Sequence, residues 1–158
     1  MKKYLLKFGE ITCVILLAVF IFIVSSQDRL SSTPFEQVST SVSSVCNLEG
    51  LIKADKLRLK KQFSFDANSF KNFSYQLSDS VMDVRELLII SLNDTEQQDT
   101  IVEALEKYVT DKQQLFEGYA PEESKLLASH VLIASKGYVL FYVGEDTEKV
   151  SSAFQQII

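Results

Sequence analysis

The run from Ile11 to Val24 constrains this chain most: fourteen residues without a charge, with Thr12 as the one hydroxyl. Phe8 and Gly9 extend it across Glu10 to seventeen residues. At ~1.5 Å per residue such a helix is roughly 25 Å long, a little short of a ~30 Å hydrocarbon core, and Tyr4, Leu5 and Leu6 can lengthen it. Lys2, Lys3 and Lys7 precede the run, whereas Asp28 and Arg29 cancel after it. The positive-inside bias therefore predicts a single-pass anchor with its N-terminus in the cytoplasm and the remainder extracytoplasmic at the cell membrane. A cleavable signal peptide is the competing reading, with Val24-Ser25-Ser26 as the cut. Phe20 to Ile23 carry bulky apolar side chains almost to that point, which favours an uncleaved anchor. Cys13 stands before the apolar run, the reverse of the order a lipidation box requires, and reads as a small apolar residue in the membrane helix.

The predicted organisation is an anchor over residues 1–26, a tether over 27–33 and an α+β domain over 34–158. Setting aside Lys2, Lys3, Lys7 and Glu10 leaves 13 basic and 20 acidic residues, a net charge of about −7 from Gln27 onward. That balance disfavours non-specific nucleic-acid binding. The exported part holds one cysteine, Cys46, so it forms no internal disulfide. About 130 residues are enough to stand on a hydrophobic core without one.

Thr33, Pro34 and Glu36 open a first helix that runs to about Val45 on a stripe of Phe35, Val38, Val42 and Val45. A short helix, Ala54 to Gln62, follows. Phe73, Tyr75 and Leu77 alternate with polar residues, the period of a strand buried on one face. A turn at Asp79 to Asp83 leads into Val84 to Leu92, whose apolar run suits an interior strand. Asn93, Asp94 and Thr95 then open the longest helix, which carries Ile101, Leu105, Tyr108, Val109 and Phe116 and closes near Gly118. Pro121 starts another, ended by His130. Val131 to Ala134 and Tyr138 to Val143 form a hairpin, and a last helix buries Val150, Ala153, Phe154 and Ile157. Two hairpins and five helices predict an antiparallel four-stranded sheet packed by helices.

Within this order, the strand Arg85 to Ile90, the segment Phe116-Glu117-Gly118-Tyr119-Ala120-Pro121-Glu122, the pair Leu126-Leu127 and the turn Lys136-Gly137-Tyr138-Val139 resemble a family of exported or membrane-anchored proteins of low-GC Gram-positive bacteria. It is catalogued as a domain of unknown function, number 4358. The resemblance covers about Val84 to Phe154. It implies location and fold, and brings no catalytic residues. Relatives often carry a lipoprotein cysteine in place of a membrane helix, from which this chain departs.

The chemistry-bearing residues narrow the field further. Gly stands only at 9, 50, 118, 137 and 144, so neither a dinucleotide fingerprint nor a phosphate loop can be assembled. His130 is the single histidine, too few for a His-based zinc site, and Cys46 with His130 lacks any oxyanion-donor signature. Acidic groups at Asp79 with Asp83, Glu122 with Glu123, and Glu145 with Asp146 and Glu148 sit at turns or helix starts, where capping accounts for them. No cofactor, no metal and no enzyme activity are expected. Two surfaces are candidates for binding: a recognition edge of Tyr119, Pro121, Glu122, Lys136 and Tyr138, whose tyrosine rings alternatively cover the core with their hydroxyls in water, and a headgroup-facing basic patch of Lys53, Lys56, Arg58, Lys60 and Lys61, alternatively a solvated helix face. The expectation is a tethered domain that binds an envelope protein or polymer. A structural or assembly factor of the envelope is the alternative, and an envelope-polymer enzyme ranks third.

Overall fold

The computed structural model describes residues 14–19 and 30–158. Residues 14–19 are helical and exposed. The rest of the expected Phe8 to Val24 span lies outside the described residues, among which no helix is long and apolar enough to cross a membrane.

Five antiparallel strands form one sheet in the order β1-β2-β3-β5-β4, where β1 is Leu51–Lys53, β2 Phe70–Ser78, β3 Glu86–Leu92, β4 Val131–Ser135 and β5 Tyr138–Val143. Both expected hairpins form, and β3 joins them by pairing with β5. The expected count of four strands is corrected to five. Three-residue β1 pairs along the edge of β2 from Leu51 opposite Ser78 to Lys53 opposite Gln76, and is too short to show a period in sequence.

From residue 30 onward the described residues form five α-helices, α1 (Phe35–Ser43), α2 (Lys56–Phe63), α3 (Gln98–Phe116), α4 (Pro121–Ala128) and α5 (Thr147–Ile157). They cover both faces of the sheet. Leu88, Ile90, Val139 and Phe141 pack with Leu59, Phe63, Leu105, Val109 and Leu127 of α2, α3 and α4. Leu87, Ile89, Leu140 and Tyr142 pack with Val38 and Val42 of α1 and with Val150 and Phe154 of α5. This double burial is why β3 and β5 read as unbroken apolar runs although their neighbours are antiparallel; an antiparallel sheet with one wet face would alternate.

Several helix starts differ from expectation. The Asp55 carboxylate accepts from the Arg58 amide at 2.8 Å, so α2 begins at Lys56. Asn93 to Gln97 make turns before α3 begins at Gln98. Thr33 does not cap α1. Its hydroxyl donates to the Ile157 carbonyl at 2.9 Å, while its own carbonyl accepts from the Tyr138 hydroxyl at 2.8 Å. The Ser31 amide donates to the Lys136 carbonyl at 2.8 Å. Leu30 to Thr33, expected as part of a tether, are thus fastened to the domain at the β4–β5 turn.

Candidate functional site

Glu86 opens β3 on the same face as Leu88 and Ile90, and it is 1% exposed. A lone carboxylate at that depth would be strongly disfavoured, so its partners matter. The Tyr75 hydroxyl donates to Oε2 at 2.8 Å, the Tyr108 hydroxyl to Oε1 at 2.8 Å, and Lys112 Nζ to Oε1 at 3.2 Å. Gln62 Nε2 in turn donates to the Tyr108 hydroxyl at 2.7 Å. Tyr108 and Lys112 lie one turn apart on α3, which carries the Lys112 ammonium over the Tyr108 ring at 4.9 Å. Burial, then the neighbouring Glu86 charge, push both tyrosine hydroxyls far above the ordinary phenol range, while the Arg58 guanidinium pulls the other way.

Above this carboxylate opens a cleft of about 210 Å³ between α2, α3 and the β2–β3 loop. Arg58 and Gln62 line it from α2, Lys112 from α3, and Asp79, Val81 and Asp83 from the loop. Asp83 is committed to Arg85 by a two-pronged ion pair, Oδ2 to Nη2 at 2.7 Å and Oδ1 to Nε at 3.0 Å. Burial alone would raise the Asp83 carboxyl; hydrogen bonds from Arg85 and from the Ser78 hydroxyl outweigh it and hold the group below its usual range. Glu86 is committed to Lys112 and the two tyrosines. Arg58 and Asp79, both exposed at the rim, make no ion pair among the described residues. The cleft thus has a closed, charge-balanced floor and one free charge of each sign at its mouth. No cluster of three or more metal-ligating side chains occurs among the described residues.

The two surfaces expected from sequence fare differently. The recognition edge is not one edge. Tyr119 follows the C-terminal end of α3 and stacks on Phe116 at 5.3 Å, whereas the Gly137 amide donates to Gln98 at the start of the same helix. Nineteen residues of helix, about 28 Å, lie between them. Pro121 and Glu122 begin α4 beside the Val84 end of the sheet, where the Val84 amide donates to the Glu123 carboxylate at 3.0 Å. Lys136 sits at the opposite end and donates to the Ile158 carbonyl, and Tyr138 is buried, 4% exposed. The basic patch is divided as well. Lys56 and Lys60 fall on the flank of α2 beside Asn68, which Lys56 contacts at 3.0 Å; Arg58 turns to the cleft; Lys53, on edge strand β1, and Lys61, on α2, are exposed.

His130 places Nδ1 2.8 Å from the Leu127 carbonyl, and Cys46 donates to the Val42 carbonyl at 3.2 Å. Burial pushes the Cys46 thiol up to about 12. The expected acidic groups at Asp79 and Asp83 do come together in the cleft, joined by Glu86, which the apolar run concealed. Glu86, Gln62, Tyr108 and Lys112 were not expected as site residues. The readable signal was a charge on the core-facing register of β3 and a Tyr and Lys four apart on the apolar stripe of α3.

Compared with known families, residues 44–144 match the model of one described as Domain of unknown function (DUF4358). The chain belongs to this family. The matched DUF4358 segment contains the whole sheet, helices α2 to α4 and every residue of the cleft; α1 and α5, which cover the other face, lie outside it. No curated protein and no solved structure matches the chain.

Proposed function

We propose that this chain is a membrane-tethered extracytoplasmic domain that binds an envelope protein or polymer at the Glu86 cleft, without transforming it. One observation carries the reading: the cleft's two inner carboxylates, Asp83 and Glu86, are each locked by cationic partners, while Arg58 and Asp79 at the rim keep their charges unpaired among the described residues. Glycosidic chemistry of the two-carboxylate kind needs a pair of free carboxylates facing one substrate, and of the three that line the cleft Asp79 alone is unpaired among the described residues. Recognition needs preorganised polar groups at a concave mouth, with apolar surface beside them. Val81, 88% exposed, supplies that surface at the rim. Tethering rests on the apolar run from Phe8 to Val24 and on the lysines before it.

The experiment is photo-crosslinking from position 80, in the cleft-lining loop, on the full chain in its native membrane and on a chain that starts at Gln27. The same adduct from both supports a self-sufficient binding module. An adduct from the full chain alone supports an assembly factor whose membrane helix takes part. Absence of any adduct from either counts against the cleft.

A further inference from the structure

We propose that the domain stands end-on to the membrane, with the β4–β5 turn and the end of α5 toward the lipid and the Glu86 cleft away from it. The orientation rests on the tethered reading above and deepens it: the cleft then meets partners from the far side of the envelope and not the bilayer surface.

The fastening of Leu30 to Thr33 carries the inference. Ser31 is bonded to Lys136, Thr33 to Ile157, and Tyr138 to Thr33. Leu30 lies over Gly137, so closely that a β-carbon there would fall 2.2 Å from its Cδ2. All four contacts gather at one end of the sheet, where Gly137 also accepts from the Leu92 amide at 2.8 Å. Whatever precedes Leu30 leaves the domain from that end.

The cleft is at the other end. It surrounds Glu86, the first residue of β3, whereas Leu92 is the last, and six steps of strand separate them by about 20 Å. The β2–β3 loop, Asp79 to Asp83, extends the cleft further outward. From Val24, where the apolar run stops, to Leu30 the chain takes six residue steps, which reach about 20 Å at most. Turning the cleft toward the lipid would use that entire reach merely to pass back along the sheet. With the pinned end inward, no such extension is needed.

Energy transfer in vesicles tests this directly. The full chain carrying Cys13→Ser and Cys46→Ser is labelled with a donor at Gln156→Cys, on the exposed end of α5, or at Ser80→Cys, in the loop at the cleft. It is then reconstituted in phosphatidylcholine vesicles that contain a headgroup-linked acceptor. Transfer from position 156 should exceed that from position 80 at least about twofold, given the separation of about 20 Å along the sheet. Equal transfer, or stronger transfer from position 80, overturns the orientation. Failure of both labelled chains to float with the vesicles overturns the tethered reading itself, and the orientation with it. Gln155→Cys and Val81→Cys, both exposed, provide a second pair if either first variant melts early.

Discussion

The hydroxyl of Tyr108 donates to Glu86 Oε1 at 2.8 Å while accepting from Gln62 Nε2 at 2.7 Å, so one phenol links the α2 helix to the buried carboxylate at the head of β3. Three donors converge on Glu86, and the whole floor of the cleft depends on it. Glu86→Leu should therefore cost about 1–3 kcal/mol, because it leaves two tyrosine hydroxyls without their acceptor and the partly buried Lys112 without its partner. Glu86→Gln, which keeps shape but turns an amide toward donors, should cost about 1–3 kcal/mol. Urea midpoints measure both. Near-wild-type stability of Glu86→Leu would show that the network contributes nothing net.

Tyr108 and Lys112 share Oε1 of Glu86 and touch each other through the ring contact at 4.9 Å. Their effects should not add. A cycle of Tyr108→Phe and Lys112→Met should give a coupling of about 0.5–3 kcal/mol in urea unfolding. Simple additivity would mean that the two residues act independently.

Gly144 follows β5, and a β-carbon there would lie 2.4 Å from the Tyr142 hydroxyl oxygen and 2.6 Å from Cζ. Neither can retreat easily, since Tyr142 is 1% exposed. Gly144→Ala should destabilise by about 1–3 kcal/mol through overpacking. Adding Tyr142→Phe removes the oxygen but keeps the ring, so it should restore part of the loss. A Gly144→Ala melting point equal to wild type would contradict this packing.

Alkaline pH should loosen the fold. Burial raises the Cys46 thiol to about 12 and the Tyr142 hydroxyl to about 12, and raises Tyr75 and Tyr108 further. Each folded group holds its proton more tightly than the unfolded chain does. Stability is then fully present below the ordinary thiol range, roughly pH 8.5, and falls as pH climbs toward 12, more steeply above roughly pH 10 where unfolded phenols ionise. Urea midpoints taken from pH 7 to 11 should be level at first and then decline. Cys46→Ala should move the onset upward toward the phenol range, and midpoints level to pH 11 would contradict the prediction.

Much of the fold could be read from local pattern, because β3, β5 and the long α3 helix bury continuous or periodic apolar sets. The short edge strand β1 could not, since three residues carry no period. Thr33 looked like a helix cap because its neighbours fit one, yet its partners Tyr138 and Ile157 lie more than a hundred residues away. The cleft was hidden for the same reason. Arg58 stood in a run of lysines that resembled a solvated face, Glu86 among leucines and isoleucines, and Lys112 within an amphipathic helix; only the pairing of β2 with β3 and the packing of α2 and α3 across them bring these together. Conversely, Tyr119 and Lys136 were grouped by chemistry when the length of α3 keeps them apart.

The most direct test of the central claim is charge reversal at the cleft mouth. Arg58→Glu on the full chain, in its native membrane, should leave the stability within about 0.5 kcal/mol of wild type, since the side chain is exposed and unpaired among the described residues. It should abolish the adduct formed by a photo-crosslinker at position 80. An undiminished adduct from the folded variant would contradict recognition at the Glu86 cleft.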